Sequence, residues 1–192
     1  MSFYLYLNEH DHAQTWINGG SIPINPASTY RSMERAGIYT PDENLIHSSP
    51  VDLAKLTQLI DLAPGVQIKG LSLYSCYNNG EPVPTIENAA YYEDDGLILS
   101  FSYRLTKTLA RRMKKKCCVK ILDMDDLKNH IDEQLGVKSI AGPCKYTWGH
   151  QRNHFLKSDD DLWQEEYRLF WPLSKRVEVS IKPGTAELMC LW

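Results

Sequence analysis

The stretch GLILSFSYRLTKTLARRMKKKCCVKILDMDDLKNHIDEQLG, residues 96–136, decides the fold class. Its first eight residues alternate in the manner of a half-buried strand. TKTLARRMKKK then reads as a basic helix, CCVKIL as a second strand, and MDDLKNHIDEQLG as a second helix with Gly136 as its stop. Strand and helix therefore follow each other closely here, but the rest of the chain does not keep a βαβα rhythm. The pattern predicts an α+β fold in one domain over 1–192, with a largely antiparallel sheet.

Working outward, the opening FYLYL is short enough for a buried strand. In EHDHAQTWI, Ala13, Trp16 and Ile17 recur at i, i+3, i+4, which gives one apolar helical face ended by Gly19-Gly20. SIPINPASTYRS holds two prolines and reads as an edge strand or extended loop. Residues 31–49 form a long polar segment. VDLAKLTQLIDL, residues 51–62, has helical spacing, and VQIKGLSLYSCY alternates as a strand or strand pair. TIENAAYY, residues 85–92, reads as a short helix, stopped by Glu93-Asp94-Asp95-Gly96. Near the end LWQEEYRLFW and KRVEVSI both read as strands.

Composition excludes several classes. With 192 residues, 43% hydrophobic and 23% charged, the chain is neither disordered nor a coiled coil. No apolar run reaches the roughly 20 residues that span a bilayer, so no membrane association is expected. The first residues lack the basic region of a signal peptide, which with five unpaired-looking cysteines points to a reduced, cytoplasmic setting. In a strand, the adjacent Cys117 and Cys118 face opposite sides.

Charge is divided unevenly. Residues 1–103 carry 4 Lys+Arg against 12 Asp+Glu, while residues 104–192 carry 17 against 12. A basic half in an acidic chain suits a phosphate-bearing ligand. The densest part is Arg104 to Lys120, with Arg111, Arg112, Lys114, Lys115 and Lys116 at its centre and no acid inside it. Like charges at i, i+4 weaken a helix, and a nucleic-acid backbone would compensate them. A solvated face is the plain alternative.

Two further sets carry candidate chemistry. In a strand, Gln164, Glu166 and Arg168 share one side. Glu166–Arg168 is either a surface ion pair or the polar lining of a cleft, in which Glu166 holds a ribose hydroxyl and stabilises positive charge at an anomeric carbon. The loop TYRSMERAGIYTPDE offers Arg31 and Arg35 for a pyrophosphate, with Tyr30 and Tyr39 for stacking on a ligand ring. Local acids would also satisfy both arginines. His10-x-His12 and His150-x-x-x-His154 have metal-compatible spacing, but nothing completes either set, so no metal site is expected.

Two resemblances follow. The segments Leu73–Tyr77, Ala90–Tyr92 and Gly96–Phe101, with Lys157 before Trp163-x-x-Glu166-x-Arg168, resemble a poorly characterised bacterial and phage family over roughly residues 70–170. More remotely, the order Arg31 or Arg35, then Ser100-Phe101-Ser102, then Gln164-Glu165-Glu166 resembles the ADP-ribosyltransferase superfamily, toxins acting on nucleic acid bases included. That resemblance implies a split sheet with flanking helices. It also implies NAD as substrate, held by Arg31 or Arg35, Tyr30, Tyr39, Ser100 and Ser102. Glu166 and Gln164 would be catalytic, the acceptor RNA or DNA, the role toxin or phage defence, and an antitoxin a possible partner. The competing expectation is a non-catalytic module that binds nucleic acid or protein through residues 104–120.

Overall fold

The computed structural model describes residues 1–31, 44–53 and 67–192, with the side chains of Tyr30 and Arg31 outside that description. The first part of the chain gives β1 (Phe3–Leu7), α1 (His10–Asn18), β2 (Gly20–Pro26), a 3-10 turn over Ala27–Arg31 and β3 (Leu45–Ser48). Then come β4 (Ile68–Leu73), the two-residue strands β5 (Tyr77–Asn78) and β6 (Glu81–Pro82), β7 (Ile86–Glu93) and β8 (Leu97–Ser102). The quoted segment continues with α2 (Lys107–Arg112), β9 (Cys117–Ile121) and α3 (Met124–Leu135). The remainder supplies β10 (Ile140–Pro143), β11 (Lys145–Thr147), β12 (Leu156–Ser158), a 3-10 turn over Asp159–Gln164, β13 (Glu166–Trp171), β14 (Val177–Ile181) and β15 (Ala186–Leu191). Among the described residues, no helix is long and apolar enough to cross a membrane.

The architecture is α+β, and among the described residues the strand pairs are antiparallel except for β11 with β12. The main sheet runs β10-β13-β8-β1-β9-β15 and forks at β8. On one edge of β8 lies β13. On its other edge β2 pairs with Leu97 and Ile98, while β1 meets Ser102; β14 extends the β2 branch. A smaller sheet, β3-β7-β4, joins the main body through backbone bonds between His47 and Arg152 at 2.8 and 2.9 Å.

The helices end where the sequence marks them. The Asp123 carboxylate accepts the Asp126 N–H at 2.9 Å to start α3, and Gly136, with φ 65°, closes it. The Thr106 hydroxyl accepts the Leu109 N–H at 3.1 Å at the start of α2. In α1, Ala13 and Trp16 are buried against the sheet, and Ile17 packs on the same cluster. Those side chains, with Leu5, Phe101, Leu169 and Trp171 from the strands, form the main core on one face of the sheet. Cys117 joins that core, whereas Cys118 joins Tyr6, Leu109 and Ala110 on the opposite face, as strand geometry requires.

Two expectations are corrected. Residues 85–92 form no helix; β7 runs through them as the central strand of the small sheet. Ile86 and Ala89, three apart, are both fully buried, which imitates helical spacing. The register of β4 on β7 shifts twice, and Asn88 takes a left-handed φ of 49°. Such an irregularity turns residues three apart to the same side. Likewise LWQEEYRLFW is not one strand. Asp159–Gln164 is a 3-10 turn, Glu165 is left-handed at φ 41°, and β13 begins at Glu166. The helix expected over 51–62 lies outside the described residues from 54 onward.

Candidate functional site

The second face of the main sheet brings several of the expected residues together. Glu166 on β13 is the Cα partner of Ser102 on β8, and Arg168 is the partner of Ser100. Gln164 is not on the strand face with them, because the left-handed Glu165 intervenes. It still closes over the same spot: the Ser102 hydroxyl donates to the Gln164 carbonyl at 2.8 Å. Thus Ser100, Ser102, Gln164 and Glu166 share one patch.

The carboxylate in that patch is enclosed. Glu166 is 5% exposed, Lys157 3% and Arg168 fully buried. Glu166 Oε1 accepts from Nε and Nη2 of Arg168, both at 2.8 Å, and Oε2 accepts from Lys157 Nζ at 2.7 Å. Lys157 Nζ also donates to Gln164 Oε1 at 2.7 Å, and Gln164 Nε2 donates to the buried Asp161 at 3.0 Å. The Arg168 Nη1 donates to the His154 carbonyl at 2.7 Å. The Glu166 N–H donates to the Tyr146 hydroxyl at 2.9 Å. Two cations thus face two anions, Glu166 and Asp161, with the amide of Gln164 between them. Burial alone would raise the Glu166 pKa. The charges of Arg168 and Lys157, and the hydrogen bonds from both, outweigh it and hold this carboxyl well below the usual range.

Arg31 is the last residue of a 3-10 turn that starts at Ala27. Its 3-10 turn is tied to the start of β8 by the bond from Ala27 N–H to the Gly96 carbonyl at 2.8 Å. Glu166 sits opposite the far end of β8. Five strand steps separate Leu97 from Ser102, about 17 Å at the usual rise. Between the two ends the face is filled by Arg168 and by Phe170, on which His154 stacks with ring centroids 3.9 Å apart. Arg35 and Tyr39, and the side chains of Tyr30 and Arg31, lie outside the described residues.

The basic segment is partly neutralised from within the fold. Lys116 donates to both oxygens of Glu9 at 2.7 Å, Lys120 pairs with Glu187 at 2.9 Å, and Arg104 pairs with Glu165 at 2.9 Å. Lys115 donates to the side chain of Asn8 at 2.8 Å, and burial lowers its pKa. The charge compensation expected from a nucleic acid is therefore supplied, for Lys116, Lys120 and Arg104, by Glu9, Glu187 and Glu165, while Lys115 has the neutral amide of Asn8 as acceptor. Arg112 lies over the Trp163 ring, 3.9 Å from its centroid. Lys107, Arg111 and Lys114 are exposed, with no ion-pair partner among the described residues.

Beyond the expected residues, the structure adds Asp161 and Tyr146 to the Glu166 enclosure and gives Lys157 its role there. Ser158-Asp-Asp-Asp, an N-cap followed by acids, was the local signal for the turn that carries Asp161. A second cluster lies at the junction of the two sheets. His47 is buried, its ring 4.6 Å from that of His150 and edge-on to Tyr91 at 5.1 Å; its Nε2 has no hydrogen-bond partner among the described residues. Burial, then His150 and Arg152, lower its pKa against the opposing pull of Asp52. Among the described residues, no group of three or more His, Cys, Asp or Glu side chains converges on a metal-sized site.

Comparison with family models, curated proteins and solved structures finds no match to this chain.

Proposed function

We propose that this chain is a binding module that docks a nucleic-acid backbone on the α2 face. The observation that carries this reading is a contrast between two sets of charges. The buried set around Glu166 is paired internally, with both carboxylate oxygens engaged by cations and the group 5% exposed. The surface set stands open: Lys107 and Arg111, four apart, project from one side of α2, Lys114 follows at its end, and Arg112 is held against Trp163. Residues at i, i+4 are neighbours about 6 Å apart, close to the spacing of successive phosphates.

The test is fluorescence anisotropy of a labelled duplex titrated at several salt concentrations. Four phosphate contacts give a slope of about −3.6 in log K against log salt, or roughly 150-fold weaker binding at 200 mM than at 50 mM. The double variant R111A/K114A flattens the slope by about two contacts' worth. Salt-independent binding, or equal affinity in that variant, defeats the proposal.

A second reading is favoured by one specific observation. Ser100, Ser102 and Glu166 meet on neighbouring strands with Gln164 in the turn beside them, and Arg104 and Arg112 reach across to Glu165 and Trp163. In that reading the chain is an NAD-dependent ADP-ribosyltransferase with the resembled split-sheet fold, modifying a nucleic acid held on α2. Lys157 must then yield its place on Glu166 to a ribose hydroxyl. NAD at about 100 times its dissociation constant would add about 2.7 kcal/mol to stability, and labelled NAD would transfer its label to RNA, DNA or protein. A melting temperature unmoved by NAD, with no label transferred, leaves the first reading alone.

A further inference from the structure

Two cysteines face one another at the edge of the main sheet. Cys118 on β9 has Cys190 as its Cα partner on β15, at the shift in register that follows Leu188. On the other side of β9, Cys118 has Tyr6 of β1 as its partner. The ring of Trp192 stacks on Tyr6, centroids 5.8 Å apart and planes inclined by 10°. Residues two apart in a strand share a face, so Cys190 lies on the same side as Trp192. Tyr6, Cys118 and Cys190 therefore form one row across three strands.

Opposed residues of antiparallel strands have Cα atoms about 4.5–5.5 Å apart, within the roughly 4.4–6.8 Å that a disulfide spans. The irregularity beside Cys190 adds freedom to aim its side chain. Both thiols are free; Cys118 is buried and Cys190 is half-buried. Cys117, next in sequence, points into the opposite core and cannot compete.

We propose that Cys118 and Cys190 form a reversible cross-strand disulfide on exposure to a disulfide oxidant such as oxidised glutathione, stapling β15 to β9. In the first step the Cys190 thiolate attacks one sulfur of oxidised glutathione. The glutathione S–S bond breaks, a mixed disulfide forms on Cys190, and one glutathione leaves and takes up a proton. In the second, Cys118 gives up its proton and attacks the Cys190 sulfur, releasing the second glutathione. The protein dithiol is oxidised and one glutathione disulfide is reduced to two thiols. Burial, with smaller contributions from Cys190 and Cys117, pushes the Cys118 thiol up to about 12. The closing step is therefore the slow one and speeds up as pH rises.

The experiment treats the full chain with oxidised glutathione, followed by peptide mapping without reductant and by thermal melts with and without dithiothreitol. A linked Cys118–Cys190 peptide is expected, with the melting temperature raised by about 5–10 °C and restored by dithiothreitol. Cys190→Ser, at a half-buried position, abolishes both. Cys118→Ala leaves glutathione on Cys190. A native chain that carries glutathione on Cys190 with no linked peptide overturns the proposal. So does an equal rise in melting temperature in Cys190→Ser.

Discussion

Replacing Glu166 with alanine asks whether its carboxylate holds the fold or waits for a ligand. In the native chain it accepts from Nε and Nη2 of Arg168, a side chain with no solvent exposure, and it shares Lys157 with Gln164. Removing it takes the counter-charge from two buried cations. Breaking a buried ion pair on one side costs about 3–5 kcal/mol, a large part of the roughly 5–15 kcal/mol that keeps a domain folded. For a chain of this size the melting temperature should fall by about 6–20 °C. Glu166→Gln, which keeps the shape and one acceptor, should fall less. The triple variant K157M/E166L/R168M, which removes Glu166 together with both of its cations, should recover part of the loss. The pH dependence carries the same information. The folded pKa of Glu166 lies below its ordinary 4.5. Its contribution is complete above that ordinary value and is lost as pH falls from there through the depressed one. Glu166→Ala should therefore lack that part of the acid limb. Differential scanning calorimetry from pH 7 to pH 3 reads both effects. A variant that melts at or above the native temperature would refute the reasoning, because groups reserved for chemistry tend to stabilise a fold when removed.

Two further perturbations address other parts of the molecule. His47 has a lowered pKa, so the unfolded chain binds more protons below pH 6.5 and stability declines as pH falls through the depressed value. His47→Phe should flatten the melting temperature between pH 7 and pH 5, and an unchanged slope would count against the buried imidazole as its source. At Gly96 an added Cβ would sit 2.3 Å from the Phe170 ring and 2.6 Å from the Trp171 carbonyl oxygen. Gly96→Ala should cost about 1–3 kcal/mol in urea denaturation, and a variant of native midpoint would contradict the packing of β8 on β13.

Where a local pattern suffices, the sequence was readable. Asp123 and Gly136 bracket α3 because capping needs only neighbours. The strand over 97–102 and the helix with Ala13 and Trp16 on one side follow from single periodicities. The opposite facing of Cys117 and Cys118 follows from the pleat alone. Reading failed where one residue leaves the regular conformation. Left-handed Asn88 made a strand look helical, and left-handed Glu165 cut a strand that the alternation had carried through. Neither asparagine nor glutamate announces that conformation as glycine would. The enclosure of Glu166 was out of reach for another reason. Lys157 comes from β12 and Tyr146 from β11, and a parallel pair between those strands is set by tertiary packing, not by local pattern.

The enclosure also bears on the α2 face, although none of its charges reaches the surface. Lys157 Nζ bridges Gln164 and Glu166, the residues on either side of the left-handed Glu165. Holding both ends of that reversal fixes the angle at which the 3-10 turn meets β13. Trp163 precedes this clamp, and Arg112 rests on its ring. Glu165 lies within it; its side chain meets Arg104, and its carbonyl accepts the Tyr103 N–H at 3.0 Å. A buried ion network is weak evidence for stability, since apolar residues of equal volume often serve as well. Its better attested use is to select one geometry among several. Here the selected geometry sets where α2 abuts the turn, and hence where its open cations stand. If α2 docks a nucleic acid as proposed, a strand motif of Glu-x-Arg after a distant Lys would contribute to recognition without touching the ligand, through the orientation of the basic helix beside it.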